Sequence, residues 1–137
     1  MTVVVDASVA VKWVVPEPDS AAATALRSAG ELIAPETWIV EAANALWKYV
    51  ARGQLNATQA ELRLAELRSA PVAASNIDQD IDDALELAID LNHPIYDCLY
   101  LALALRLDAY VVTADRRFVA LSGKRPDLAG RVRALTP

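Results

Sequence analysis

The chain predicts an α/β fold: a central, mostly parallel sheet with helices on both faces. Three observations carry this. Short apolar, β-branched runs alternate with longer helical segments along all 137 residues. One of those helical segments, 97–107, has almost no polar face and must be buried. A 55% hydrophobic composition with few aromatics supplies one core of Ala, Leu, Val and Ile. There is no internal repeat, linker or low-complexity segment, so residues 1–137 are expected to form a single domain.

The elements follow in order. Val3, Val4 and Val5 favour a buried strand. Residues 7–15 read as a helix, stopped by Pro16 and Pro18. The Ala-rich segment 19–29 is a second helix, closed by Gly30. A second strand covers 32–34, and Pro35 stands where helices like to begin, so 36–52 is expected to be one long helix ending at Gly53. Thr58 and Glu61 have capping-box spacing, with Asn56 as the alternative cap, for a helix that reaches about residue 69. Residues 71–74 make a third strand and 78–91 a helix with an acidic outer face. After the turn Asn92-His93-Pro94 come the apolar helix, a strand at 109–113, a short helix at 115–121 and a last strand at 132–135.

Composition limits function. The formal net charge is −5 and the pI about 4.8, which argues against a general nucleic-acid binder unless metal ions supply positive charge. Cys98 is the sole cysteine and His93 the sole histidine, so neither an intrachain disulfide nor a Cys/His zinc site is available. A reducing, cytoplasmic setting is the natural expectation. No secretory leader pattern opens the chain, and the longest apolar run, 98–105, is far short of the roughly 20 residues that span a bilayer, so no membrane partner is expected.

In open parallel sheets, sites form beyond the carboxyl ends of the strands. Asp6 directly follows the first strand, and Asp115 lies two residues past Thr113, at the end of a later one. Either can be a helix N-cap, a ligand, or both. Asp97 starts the most apolar helix, where a charge is stabilised by the helix dipole but also needs a partner. Thr37, Glu41, Asn44 and Lys48 share one narrow helical face, which is either a solvated stripe or the wall of a polar cleft. By contrast, Asp78, Asp80, Asp82, Asp83, Glu86 and Asp90 read as a solvated acidic face, His93 as a turn residue without a ligand or base role, and Cys98 as a small core residue. Trp13, Trp38 and Trp47 read as core or interface residues.

If Asp6, Glu41, Asp97 and Asp115 meet, four carboxylates without a basic neighbour require either protonation or a cation. Hard divalent ions take such oxygen ligands, and a metal-acidified water makes a nucleophile near neutral pH. The chain has no Gly-rich phosphate loop to suggest another route.

The segments V-V-D-A-S-V-A-V-K-W, A-P-E-T-W-I-V-E-A-A-N-A-L-W-K, P-I-Y-D-C-L-Y-L-A-L-A and V-T-A-D-R-R-F, in that order, resemble the PIN-domain ribonucleases of the VapC toxin type over essentially the whole length. The resemblance implies a three-layer α/β/α sandwich. It implies that Asp6, Glu41, Asp97 and Asp115 line one pocket for Mg2+ or Mn2+, supported by the Ser8 and Thr113 hydroxyls and, less directly, by Asn44. Asp115 stands at the least uniform of these positions: some relatives carry the acid where Arg116 and Arg117 stand here. The implied reaction is endonucleolytic cleavage of RNA by a metal-activated water, leaving a 5′-phosphate and a 3′-hydroxyl. Lys12, Lys48, Arg52, Arg116 and Arg117 are candidate phosphate contacts, each also readable as ordinary surface charge. The implied partners are a VapB-type antitoxin and a second copy of the chain in a homodimer.

The competing functions are a phosphatase or phosphotransferase with Asp6 as nucleophile, and a PIN-like module that binds RNA or protein without catalysis. The first would usually carry D-x-D where this chain has Ser8 in third place. The second is not marked by loss of any of the four acids.

Overall fold

A computed structural model describes residues 1–137. Five strands form one sheet: β1 (Thr2–Val5), β2 (Glu31–Pro35), β3 (Val72–Ser75), β4 (Tyr110–Thr113) and β5 (Val132–Ala134). Their spatial order is β3-β2-β1-β4-β5, and every pairing is parallel. The helices are α1 (Ala7–Ala10), α2 (Ser20–Leu26), α3 (Trp38–Ala51), α4 (Ala57–Arg68), α5 (Ile81–Leu91), α6 (Ile95–Arg106) and α7 (Arg116–Ser122). The result is a three-layer α/β/α sandwich.

β1 is central because Val3, Val4 and Val5 have no exposed surface and can only sit between other layers. The chain winds from β1 through β2 to β3 on one side, then returns to place β4 and β5 on the other. The strand order therefore reverses between β1 and β4, the topological point where open α/β sheets leave a crevice at their carboxyl ends. Asp6, immediately after β1, and Thr113, the last residue of β4, flank that crevice, and the Asp6 amide donates to the Val112 carbonyl at 3.0 Å.

The apolar α6 crosses β1, β2 and β4. Its residues Cys98 to Ala104 are all buried, as its lack of a polar face requires.

Several element boundaries differ from the sequence expectation. Pro35 ends β2, buried and paired with Ser75, rather than opening a helix; α3 starts at Trp38. The helix expected over 7–15 is one short α-turn followed by a 3-10 turn, Val11–Trp13. Asn56, not Thr58, caps α4: its side chain accepts from the Gln59 amide at 2.8 Å while Gln59 Oε1 accepts from the Asn56 amide at 2.9 Å.

The acidic helix holds one exception to its solvated face. Asp80 is 3% exposed and receives two bonds from Arg106, at 2.7 and 3.0 Å, and Arg106 also donates to Ser75 at 3.1 Å. This ties the end of β3 and the start of α5 to the end of α6. Removing the guanidinium strands a buried carboxylate, while the partial exposure of Arg106 softens the loss. Arg106→Ala is therefore expected to lower the unfolding free energy by about 2 kcal/mol in urea melts, whereas Asp82→Asn, on the exposed side of the same helix, should stay within about 0.5 kcal/mol. Equal effects of the two would show that the Asp80 pair is energetically idle.

Candidate active site

The four acids differ sharply in what holds them. Asp6 occupies the N-cap position of α1 but does not cap it with its side chain. Its carboxylate turns toward β4, where Oδ2 accepts from Ser8 Oγ and Thr113 Oγ1, both at 2.7 Å. Each of those hydroxyls also accepts a backbone amide from the loop after β4: Ser8 from Ala114 at 3.1 Å, Thr113 from Asp115 at 3.0 Å. A hydroxyl has one proton. With both protons directed at Asp6, the 3.3 Å contact between Ser8 and Thr113 is one of proximity only. The arrangement suits an acceptor-only carboxylate.

Burial works against that charge. Asp6 is 7% exposed, and burial raises its pKa against the lowering effect of the two hydroxyls, with the charge of Asp97 pushing further upward.

Glu41, in the first turn of α3, is partly buried. Burial raises its carboxyl from 4.5 to about 7; the Tyr100 hydroxyl opposes this, and the Asp6 and Asp97 charges add to it. Oε2 accepts from Tyr100 Oη at 2.5 Å, while Oε1 is buried without a hydrogen-bond partner. Thr37 Oγ1, one turn earlier, is buried and unpartnered as well. The polar stripe of α3 thus has two halves. Thr37 and Glu41 face inward, whereas Asn44 and Lys48 are exposed.

Asp97 lies in the first turn of α6 and pairs through Oδ2 with His93 Nε2 at 2.7 Å. His93 is therefore not the idle turn residue that the sequence suggests. The i, i+4 spacing was the available signal, masked by the turn between them. Tyr100 was also missed; it lies three residues after Asp97 and is the only polar side chain within the buried run of α6.

Asp115 behaves as the sequence's simpler option predicts. Exposed at the start of α7, it caps the helix through Oδ1, which accepts from the Arg117 amide at 2.9 Å. The charges that push on Glu41 are those of Asp6 and Asp97; Asp115 is not among them. The Asp97 charge acts on both Asp6 and Glu41, whereas Asp115 is tied to this network only through its amide on Thr113.

The donor set suits a hard cation in chemistry: carboxylate oxygens whose charges oppose one another and one buried oxygen lacking a partner. The side chains do not stand as a finished ligand set, since no three acidic, His or Cys groups are grouped closely enough to hold an ion.

Of the candidate phosphate contacts, Lys48, Arg52 and Arg117 are exposed. Lys12 pairs with Asp19 at 2.9 Å, and Arg116 donates to the Pro137 carbonyl at 3.0 Å, so both are engaged within the chain. Trp38 is buried. Trp13 packs at the core edge, with its indole N–H on the Ala23 carbonyl at 2.7 Å. Trp47 alone is largely exposed, at 62%, on the same helix as the exposed Val40. No helix is long and apolar enough to cross a membrane.

A model of the PIN domain matches residues 3–124. Ribonuclease VapC3 of Pyrobaculum aerophilum is 34% identical over 120 residues, spanning 85% of this chain and 92% of that protein. The crystal structure of PAE2754 from Pyrobaculum aerophilum is similar with a TM-score of 0.70 at 23% identity, over 98% of this chain and 92% of that one, a likeness of fold. With the parallel sheet, the crevice between β1 and β4 and the matched length together, this chain belongs to the PIN-domain family.

Proposed function

We propose that the protein is a metal-dependent endoribonuclease toxin whose site is built by Asp6, Glu41 and Asp97, with Asp115 at its edge. The observation that carries this reading is that Asp6 and Glu41 are each raised by burial and by the charge of Asp97, with one buried Glu41 oxygen unpartnered and no Lys or Arg paired with any of the three acids. Similarity to a ribonuclease over most of both chains supports the substrate class.

The chain's own residues divide the work. Asp6, Glu41 and Asp97 would hold Mg2+ or Mn2+. When bound, the ion supplies an acidified water and charge neutralisation at a phosphoryl oxygen. Ser8 and Thr113 fix Asp6, and the loop amides of Ala114 and Asp115 fix the hydroxyls in turn. Lys48, Arg52 and Arg117 are exposed cations suited to phosphates of the RNA, with Arg116 and Lys12 reaching it only by leaving their present partners. Asn44, exposed one turn beyond Glu41, is assigned an assisting place at the rim.

A VapB-type antitoxin and a second copy of the chain are the proposed partners. The exposed apolar surface of α3 around Val40 and Trp47 is the surface assigned to one of these contacts. Trp47→Glu should abolish either self-association in light scattering or capture by the antitoxin encoded beside it; unchanged behaviour in both would remove this face from the proposal.

Asp6→Asn should reduce Mg2+- or Mn2+-dependent cleavage of cellular RNA on the order of 100- to 1,000-fold, because several kcal/mol of charge stabilisation depend on the ligand set. Asp115→Asn should cost far less. Wild-type protein, freed of any partner, that cleaves no RNA with either ion would end the nuclease reading.

Glu41 also makes a stability statement. Its folded carboxyl holds a proton up to about pH 7, while the unfolded one releases it near 4.5. The native state therefore binds more protons between those values, and stability falls as pH rises through that window. The cost above it is about 3 kcal/mol at most. In chelator, Glu41→Gln should be more stable than wild type at pH 8, with the gap closing toward pH 4.5. A gap independent of pH would contradict the burial argument.

A further inference from the structure

Tyr100 has no exposed surface, and its hydroxyl joins three elements. It lies on α6, accepts from the Ala7 amide of α1 at 3.4 Å, and donates to Glu41 Oε2 of α3 at 2.5 Å. A phenol carries one proton and two lone pairs. The Ala7 N–H can only donate, so it takes a lone pair and leaves the proton for Glu41. That proton engages one oxygen of the carboxylate. The other, Oε1, is buried and has no partner in the protein.

This asymmetry is unusual for a purely structural pair. A buried carboxylate that serves packing alone would be expected to have both oxygens satisfied, because an unpaired buried acceptor costs stability. Here the bond to Tyr100 fixes which oxygen remains free. It also ties the position of Glu41 to the backbone immediately after Asp6, so two candidate ligands from distant segments share one reference point.

We infer that Tyr100 is a positioning residue for the cation site: its hydroxyl holds Oε2 of Glu41, orients the carboxylate from inside the core, and leaves Oε1 as the oxygen available to the ion. The inference rests on the reading of Asp6, Glu41 and Asp97 as the metal-holding acids. Tyr100 touches neither RNA nor ion and acts through Glu41, with the Ala7 amide as its anchor.

Tyr100→Phe keeps the ring and removes the hydroxyl. Mn2+ titrated into the full chain, with free Mn2+ followed by electron paramagnetic resonance, should bind the variant more weakly, on the order of tenfold or more, as for loss of other groups that orient metal ligands. Saturating Mn2+ should restore most of kcat for RNA cleavage, so the loss falls on the metal requirement. In a Glu41→Gln background, Tyr100→Phe should cause no further loss of Mn2+ affinity. A second measurement keeps the hydroxyl and avoids dependence on the variant's folding. With 3-fluorotyrosine placed at position 100, the fluorine resonance should shift on adding Mg2+, and the shift should vanish with Glu41→Gln. Wild-type Mn2+ affinity in Tyr100→Phe, with only a lower melting temperature, would overturn the inference, as would a fluorine signal indifferent to Mg2+. Wild type that takes up no Mn2+ at all would instead overturn the metal reading itself, and the inference with it.

Discussion

A carboxylate at the end of the most buried strand is the constraint around which the rest of the site is arranged. Asp6 follows three fully buried valines, so the fold delivers its charge into a place where water is scarce. Two hydroxyls, one from its own chain turn and one from β4, direct their protons at a single oxygen. Those hydroxyls are themselves held by two consecutive amides of the loop after β4. The junction of β1 and β4 is thus fixed by main-chain sheet bonds on one side and by a carboxylate-centred network on the other. Such a network cannot abolish the cost of burial, which still raises the Asp6 pKa. It reduces the cost while keeping the group geometrically fixed, the combination expected where function requires a charge that stability alone would remove.

The same tension distinguishes the other acids. Glu41 and Asp97 come from the first turns of two helices whose buried faces bring those turns to the carboxyl end of the sheet. Each has one identified partner for its carboxylate, Tyr100 in one case and His93 in the other. Neither partner is an Arg or Lys that would permanently neutralise the charge. Asp80 is the contrast within the molecule: more deeply buried, and bound twice by a guanidinium. A charge held by Arg106 is structurally spent, whereas Asp6 and Glu41, held by hydroxyls and a phenol, keep their demand for a cation.

Periodicity and residue type were enough to read the layers of this fold, because buried parallel strands and a helix without a polar face leave direct marks in sequence. They were weaker at boundaries. Pro35 suits a helix start by its ring alone, yet pairing with Ser75 in the sheet outweighs that preference. At the site, single-residue reasoning gave the N-cap explanation equal standing for Asp6 and Asp115. Only the fold separates them, since whether a carboxylate caps its own helix or turns to a neighbouring strand depends on Thr113, more than a hundred residues away for Asp6. Tyr100 and His93 were hidden for a related reason. Their roles lie in what they touch, and a tyrosine in an apolar helix or a histidine in a turn has the same appearance with or without a carboxylate beside it.

The acidic balance of the chain fits a nucleic-acid substrate once the location of the charge is considered. A net charge of −5 spread evenly would repel a polyanion, and salt-dependent binding through released counterions would be weak. Here part of the negative charge is concentrated at one end of the sheet, where bound divalent ions would invert the local field. Exposed Lys48 on α3, Arg52 at its C-cap, and Arg117 on α7 stand on or beside elements that also carry Glu41 or begin just after Asp115. Affinity would then depend on ions at the site and a few cations on adjoining elements, not on overall charge. On the proposed reading, such a surface would hold a polyanion only when the metal is present, so binding and the capacity to cleave would be gained together.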